Sequence, residues 1–162
     1  MVESMAFEPD ILILDPHKSN LLLAVEVEPH IRDLRAAEQQ LRRYMALASC
    51  PTAMLVSLDM VRIYRDTFRA SGDGSIELVA ELPSPAFLSA AELAFVETAE
   101  GSRERAYRLA DVVQSRLEGL ANEVTLARLP TDLRVAVEEH VLPALLLGEI
   151  QAGAPRWYRA AS

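Results

Sequence analysis

The sequence predicts an α/β fold: a small mixed β-sheet with a crossover helix, followed by a helical C-terminal third. Three observations carry that prediction. Short apolar runs at 11–15, 21–28, 52–57, 61–65 and 76–82 have the length and composition of strands. Between the second and third runs, Leu34, Ala37, Leu41, Tyr44, Met45 and Ala48 recur at three- and four-residue spacing, the period of an amphipathic helix. After Pro83-Ser84-Pro85 the pattern turns helical and stays so. At 162 residues the chain has the size of one domain, read as an α/β core over 9–82 and a helical extension over 86–162.

Each element follows from its residues. Ile11-Leu12-Ile13-Leu14-Asp15 reads as a buried strand, and the turn formers from Asp15 to Asn20 send the chain back. Leu21 to Glu28 completes a β-hairpin, closed by Pro29, which lacks the N–H that a ladder requires. Asp33 is the expected N-cap of a helix reaching Ala48. Thr52–Ser57 and Val61–Arg65 flank the short turn Leu58-Asp59-Met60, and the glycine- and serine-rich stretch 70–75 precedes a strand over 76–82. Helices are expected over 89–99, 102–121 and 131–149, the last kinked by Pro143. Leu109, Val112, Val113, Leu117 and Leu120 form the core-facing stripe of the middle one.

Composition narrows the function classes. Hydrophobic residues at 51% and charged residues at 25% are ordinary for a globular chain and argue against disorder. The longest uncharged apolar stretch, near Val141 to Leu147, is far short of the ~20 residues of a bilayer span. Met1 to Met5 lacks a basic region followed by an apolar run, so the expectation is a cytoplasmic protein without membrane partners. The single cysteine, Cys50, has no internal disulfide partner, and no Cys/His spacing matches a zinc site. Twenty-four acids against 16 bases give a net charge of −8, which disfavours tight, non-specific nucleic-acid binding. Lys18 is the only lysine, and the other 15 bases are arginines.

The hairpin carries the candidate chemistry. With the turn centred near Lys18, facing residues have numbers that sum to about 36, so Asp10 lies opposite Glu26. Alternation then puts Leu22, Ala24, Glu26 and Glu28 on one face and Leu21, Leu23, Val25 and Val27 on the other. Three carboxylates crowded on one patch call for a compensating cation or proton. Carboxylate oxygens are the ligands that Mg²⁺ and Mn²⁺ favour, so Asp10, Glu26 and Glu28 form a candidate divalent-metal site. The alternative is a pair of glutamates on a solvated strand end before Pro29.

Pro9-Asp10, fifteen residues, then Glu26-Val27-Glu28 resembles the PD-(D/E)xK signature of the restriction-endonuclease-like nucleases, with Glu28 where lysine usually stands. The series continues through Glu38-Gln39-Gln40-Leu41-Arg42-Arg43-Tyr44, Pro51 to Val56 and Val61 to Tyr64. It is similar to the N-terminal nuclease domain of type I restriction enzyme R subunits and to small stand-alone relatives. The resemblance covers roughly residues 9–66. It implies a Mg²⁺- or Mn²⁺-dependent nuclease in which Asp10 and Glu26 hold the metal. Glu28 would take the position of the third motif residue, and Gln40 and Tyr44 would match a Q-x-x-x-Y motif that orients water or phosphate. Lys18, about 8 residues or roughly 26 Å of strand from Asp10, is too far to replace the motif lysine.

Three features favour a different class, the first being Glu28 in place of the motif lysine. Only nine residues precede Asp10, which leaves Glu3 or Glu8 at most a stub of the family's first helix, and the chain is acidic overall. The alternative is a catalytically inactive module of the same fold, assembling as a homodimer or with a protein partner through Leu142 to Leu147. Arg32, Arg35, Arg42 and Arg43 read either as a phosphate-facing patch or as the solvated face of their helix. His17, His30 and His140 are scattered, and Trp157 and Tyr158 between Arg156 and Arg159 read as a base-stacking platform or a folded-back tail.

Overall fold

The computed structural model describes residues 7–17, 20–69 and 72–152. The expectations for Glu3, Lys18 and the Arg156–Arg159 segment with Trp157 and Tyr158 lie outside the described residues. Strands β1 (Ile11–Leu14), β2 (Leu21–Val27), β3 (Thr52–Val56), β4 (Met60–Asp66), β5 (Ile76–Pro83) and β6 (Glu149–Ala152) form one mixed sheet in the order β5-β4-β3-β2-β1-β6. Only β2 and β3 run parallel, because the helix α1 (Leu34–Ala48) carries the chain back between them. Asp33 caps α1 as its residue type predicts, accepting the N–H of Ala36 at 3.1 Å.

Both faces of the sheet are covered. Ala24, Ala53, Leu55 and Tyr64 pack on Leu41 and Met45 of α1. On the opposite face, Ile11, Ile13, Leu23, Val25, Val27, Met54 and Ile63 join Phe87, Val96, Leu109, Val113, Leu117, Leu133 and Val141 in a larger cluster. The C-terminal helices are therefore part of the core that the sheet builds: α2 (Ala90–Glu97), α3 (Ser102–Gly119), α4 (Glu123–Ala127), α5 (Thr131–Ala136) and α6 (Leu142–Leu147). A capping box between Ser89 and Glu92 starts α2, and Glu92 also pairs with Arg116 of α3. Among the described residues no helix is long and apolar enough to cross a membrane.

Three details differ from the sequence expectation. The pairs Ile11–Val25, Leu12–Ala24 and Ile13–Leu23 keep the expected register, but Leu14 pairs with Leu21, leaving Leu22 as an extra residue in β2. That bulge exchanges the faces of the first two residues: Leu22 joins the helix-side cluster and Leu21 packs under α1. Second, the irregularity in the last long helix precedes Pro143. Residues Val137–Val141 form a π turn, in which Leu142 N–H donates to the Val137 carbonyl, and Pro143 then sits in the first turn of α6. Third, this helix ends at Leu147, and Glu149–Ala152 returns to the sheet against β1. Gly148 permits the return. A β-carbon there would lie 2.6 Å from Ile13 Cγ2, 2.9 Å from the Leu14 carbonyl oxygen and 2.9 Å from Leu22 Cδ1.

Candidate functional site

The acidic residues gather where β1 begins and β2 ends. Glu28 N–H donates to the Val56 carbonyl of β3 at 2.9 Å, so the preceding amide, Val27 N–H, points the other way, toward β1. There it meets a side chain instead of a backbone carbonyl: Asp10 Oδ2 accepts it at 2.8 Å. Asp10 thus continues the ladder one residue before the start of β1. It is buried, at 9% exposure, and Glu26 is buried more deeply, at 3%. Glu26 follows Ala24 on the α1 face, and Glu28 lies two residues on, roughly 7 Å along the strand.

Electrostatics ties Glu28 to Asp10. Burial raises the Glu28 carboxyl above its ordinary range, and the nearby Asp10 charge raises it further. Asp10 and Glu28 are therefore near enough for their charges to interact, and Glu26, two residues before Glu28, is buried. Among the described residues no group of three or more His, Cys, Asp or Glu side chains is arranged to hold a metal ion. Carboxylate oxygens are the donors that a cation of the Mg²⁺ class takes, commonly only one or two of them with water or phosphate completing its shell.

The other predicted residues are spread along α1. Gln40 is exposed. Tyr44 is half-buried, its ring edge-on to Phe7 with centroids 5.8 Å apart, and it lines a pocket beside the hairpin turn with Leu12, Leu14 and Leu21. Burial raises its phenol pKa, with smaller contributions from Cys50 and Glu8. Helical spacing puts Gln40 and Tyr44 on one flank of α1 and Glu38 and Arg42 on the other. Of the four arginines considered as a patch, Arg32, Arg35 and Arg43 are exposed. Arg42 is engaged, donating to the Ile76 carbonyl at 3.0 Å and lying 5.7 Å above the Tyr64 ring. His17 and His30 are exposed, and His140 lies within the π turn.

Sequence reasoning missed a polar network on the same face. Arg62 of β4 bonds Glu38 at 3.0 Å and Glu81 at 2.5 Å, and Tyr64 donates its hydroxyl to Glu38 at 2.8 Å. Burial raises the Tyr64 phenol strongly, and the Glu38 carboxylate adds to the effect. Arg62 occupies the same cross-strand row as Glu26, with Leu55 between them and Glu81 beyond. Only the alternation of β4, which puts Arg62 and Tyr64 on one face, hinted at this in the sequence. Glu38 itself stands 24 residues from Arg62. Comparison with protein-family models, with curated proteins and with solved structures finds no match for the chain.

Proposed function

We propose that this chain is a restriction-endonuclease-like domain whose acidic strand ends bind Mg²⁺ or Mn²⁺ and hydrolyse a phosphodiester of nucleic acid. The observation that carries the reading is the placement of buried Asp10 beside Glu28, whose carboxyl is held above its usual range partly by that neighbour. Two such carboxylates destabilise each other unless a cation or a proton joins them. The hairpin, the crossover helix and the parallel β2–β3 pair give the element order that the PD-(D/E)xK resemblance expects.

Asp10 and Glu28 would hold the ion, with Glu26 a further carboxylate in β2, the strand that leads to Glu28. A bound divalent ion would lower the pKa of a coordinated water and offset charge on phosphate oxygens. Exposed Arg32 and Arg35, in the connection from Glu28 and at the start of α1, carry the positive charge needed to draw a phosphate toward the acids. Glu28, in the lysine position, supplies an acceptor and no cation, so phosphate charge is left to the arginines.

A second reading is favoured by the Asp10–Val27 bond. A carboxylate already serving as a ladder terminus needs no ion, and the fold then serves as a non-catalytic interaction module. Calorimetric titration with Mn²⁺ and Mg²⁺ separates the two, using the wild type beside Asp10→Asn, which keeps the acceptor oxygen, and Glu28→Gln. The nuclease reading expects saturable binding that both substitutions abolish, followed by cleavage in a screen of DNA and RNA substrates. Negligible heats in all three proteins would leave the module.

A further inference from the structure

The last helical run is interrupted where it carries a histidine. His140 lies in the π turn between Val137 and Val141, both fully buried in the larger core cluster. Its side chain is only 12% exposed. The Nδ1 atom is buried and has no hydrogen-bond partner among the described residues. Nε2 lies 3.8 Å from a Glu139 carboxylate oxygen, too far for a hydrogen bond. A neutral ring suits this setting, because it can keep its proton on Nε2, toward Glu139, and leave Nδ1 bare. A protonated ring does not. It carries a proton on both nitrogens, and the one on Nδ1 is buried with no acceptor.

The charges around the ring do not compensate it. Glu139, on the same turn, has a side chain 68% exposed, so water screens its attraction. On β4, Arg65 sets a like charge against a protonated ring. Glu77, the cross-strand partner of Arg65, is exposed and lies 3.8 Å from Arg69. On α5, Arg134 is 3.7 Å from Glu138 and Asp132 is exposed, while α6 has no charged residue. Burial holds the imidazole below its ordinary pKa; Glu139 opposes that effect and Arg65 adds to it.

We propose that His140 is an acid-sensitive latch, whose protonation favours opening of the π turn and release of α6 and β6. The turn is suited to give way. Pro143 follows it and supplies no amide, so a carbonyl of the turn loses a donor. Val141, next to His140, is anchored in the core, so swinging the charged ring out to water pulls on the turn itself. Beyond the turn, α6 leads through Gly148 into the four-residue strand β6. A histidine whose folded pKa is lowered contributes stability that is present above its unfolded pKa and lost as pH falls below it. With an unfolded pKa of about 6.5, opening at pH 5.5 exceeds that at pH 7.5 by at most about tenfold. This proposal does not depend on the cation reading.

Amide hydrogen exchange followed by NMR at pH 7.5 and 5.5, corrected for intrinsic exchange rates, tests it. Amides of α6 and β6 are expected to open at least twofold more at the lower pH, and those of β3 and β4 are not. His140→Gln, neutral at both pH values, is expected to remove the difference. Arg65→Gln, at an exposed position of β4, relieves the repulsion on the protonated ring and is expected to shrink it. This second variant stays informative if His140→Gln fails to fold. A rise below twofold in the wild type, or an equal rise across β3 and β4, overturns the proposal. So does a rise that persists in His140→Gln, or one that Arg65→Gln leaves unchanged.

Discussion

Asp10 has two roles in the structure, and a pair of substitutions separates them. As a ladder terminus it accepts Val27 N–H at 2.8 Å in a buried setting. Removing a charged acceptor and leaving a buried amide unmatched costs about 1.5–3 kcal/mol. Asp10→Ala also removes the charge that raises Glu28, which offsets part of that loss. The expected net destabilisation is about 1–2 kcal/mol, or a fall in Tm of about 2–8 °C for a chain of this size. Asp10→Asn keeps an acceptor oxygen in the same place while discarding the charge, so its expected cost is under about 1 kcal/mol. Urea unfolding at neutral pH without divalent ions, read by far-ultraviolet circular dichroism, gives both numbers. Equal destabilisation by Ala and Asn would refute the ladder-terminus argument, because it would make the negative charge, and not the acceptor, the stabilising feature.

Two further outcomes follow from the same geometry. Glu28 has a raised pKa in the folded chain, so the folded state holds its proton more tightly than the unfolded state does. Its contribution to stability is therefore fully present below the ordinary carboxyl range and is lost as pH rises through the folded value. Glu28→Gln should melt higher than the wild type near neutral pH, with the gap closing at pH ~4, and a wild type that melts higher at neutral pH would contradict the assignment. Gly148→Ala forces a methyl group into contact with the Leu14 carbonyl, a backbone atom that cannot swing aside. A loss of about 1–3 kcal/mol is expected in urea unfolding, with faster amide exchange in β1 and β6, and an unchanged midpoint would show that β6 shifts freely.

Legibility in the sequence followed how local each determinant is. The α1 cap, the hairpin and the register through Ile13–Leu23 depend on residues close in the chain, and their patterns are regular. The bulge at Leu22 was invisible because Leu21, Leu22 and Leu23 are identical, and no change of polarity marks which one is extra. Strand β6 was hidden for a related reason. Among its described side chains Ile150 packs against the core, and Gly148 follows a run of leucines that extends the helical pattern. At the site, Asp10 and Glu26 are both buried. The bond from Asp10 to Val27 depends on how the chain enters β1, and the Glu38–Arg62–Glu81 cluster on the lateral order of three strands and a helix. Neither relation has a period or spacing to read.

The pairing of β6 with β1 has a consequence for the order in which the chain is made. Ile11-Leu12-Ile13-Leu14 leaves the ribosome well before its outer partner, which spans Glu149–Ala152. Until those residues are made, these four apolar residues line an open strand edge, the kind that recruits other nascent chains. A premature stop anywhere before Glu149 makes that exposure permanent. Truncated products should thus collect in the insoluble fraction even where every helix is complete, and a charged residue introduced in place of Leu12 would protect the nascent edge only by sacrificing the packing under α1.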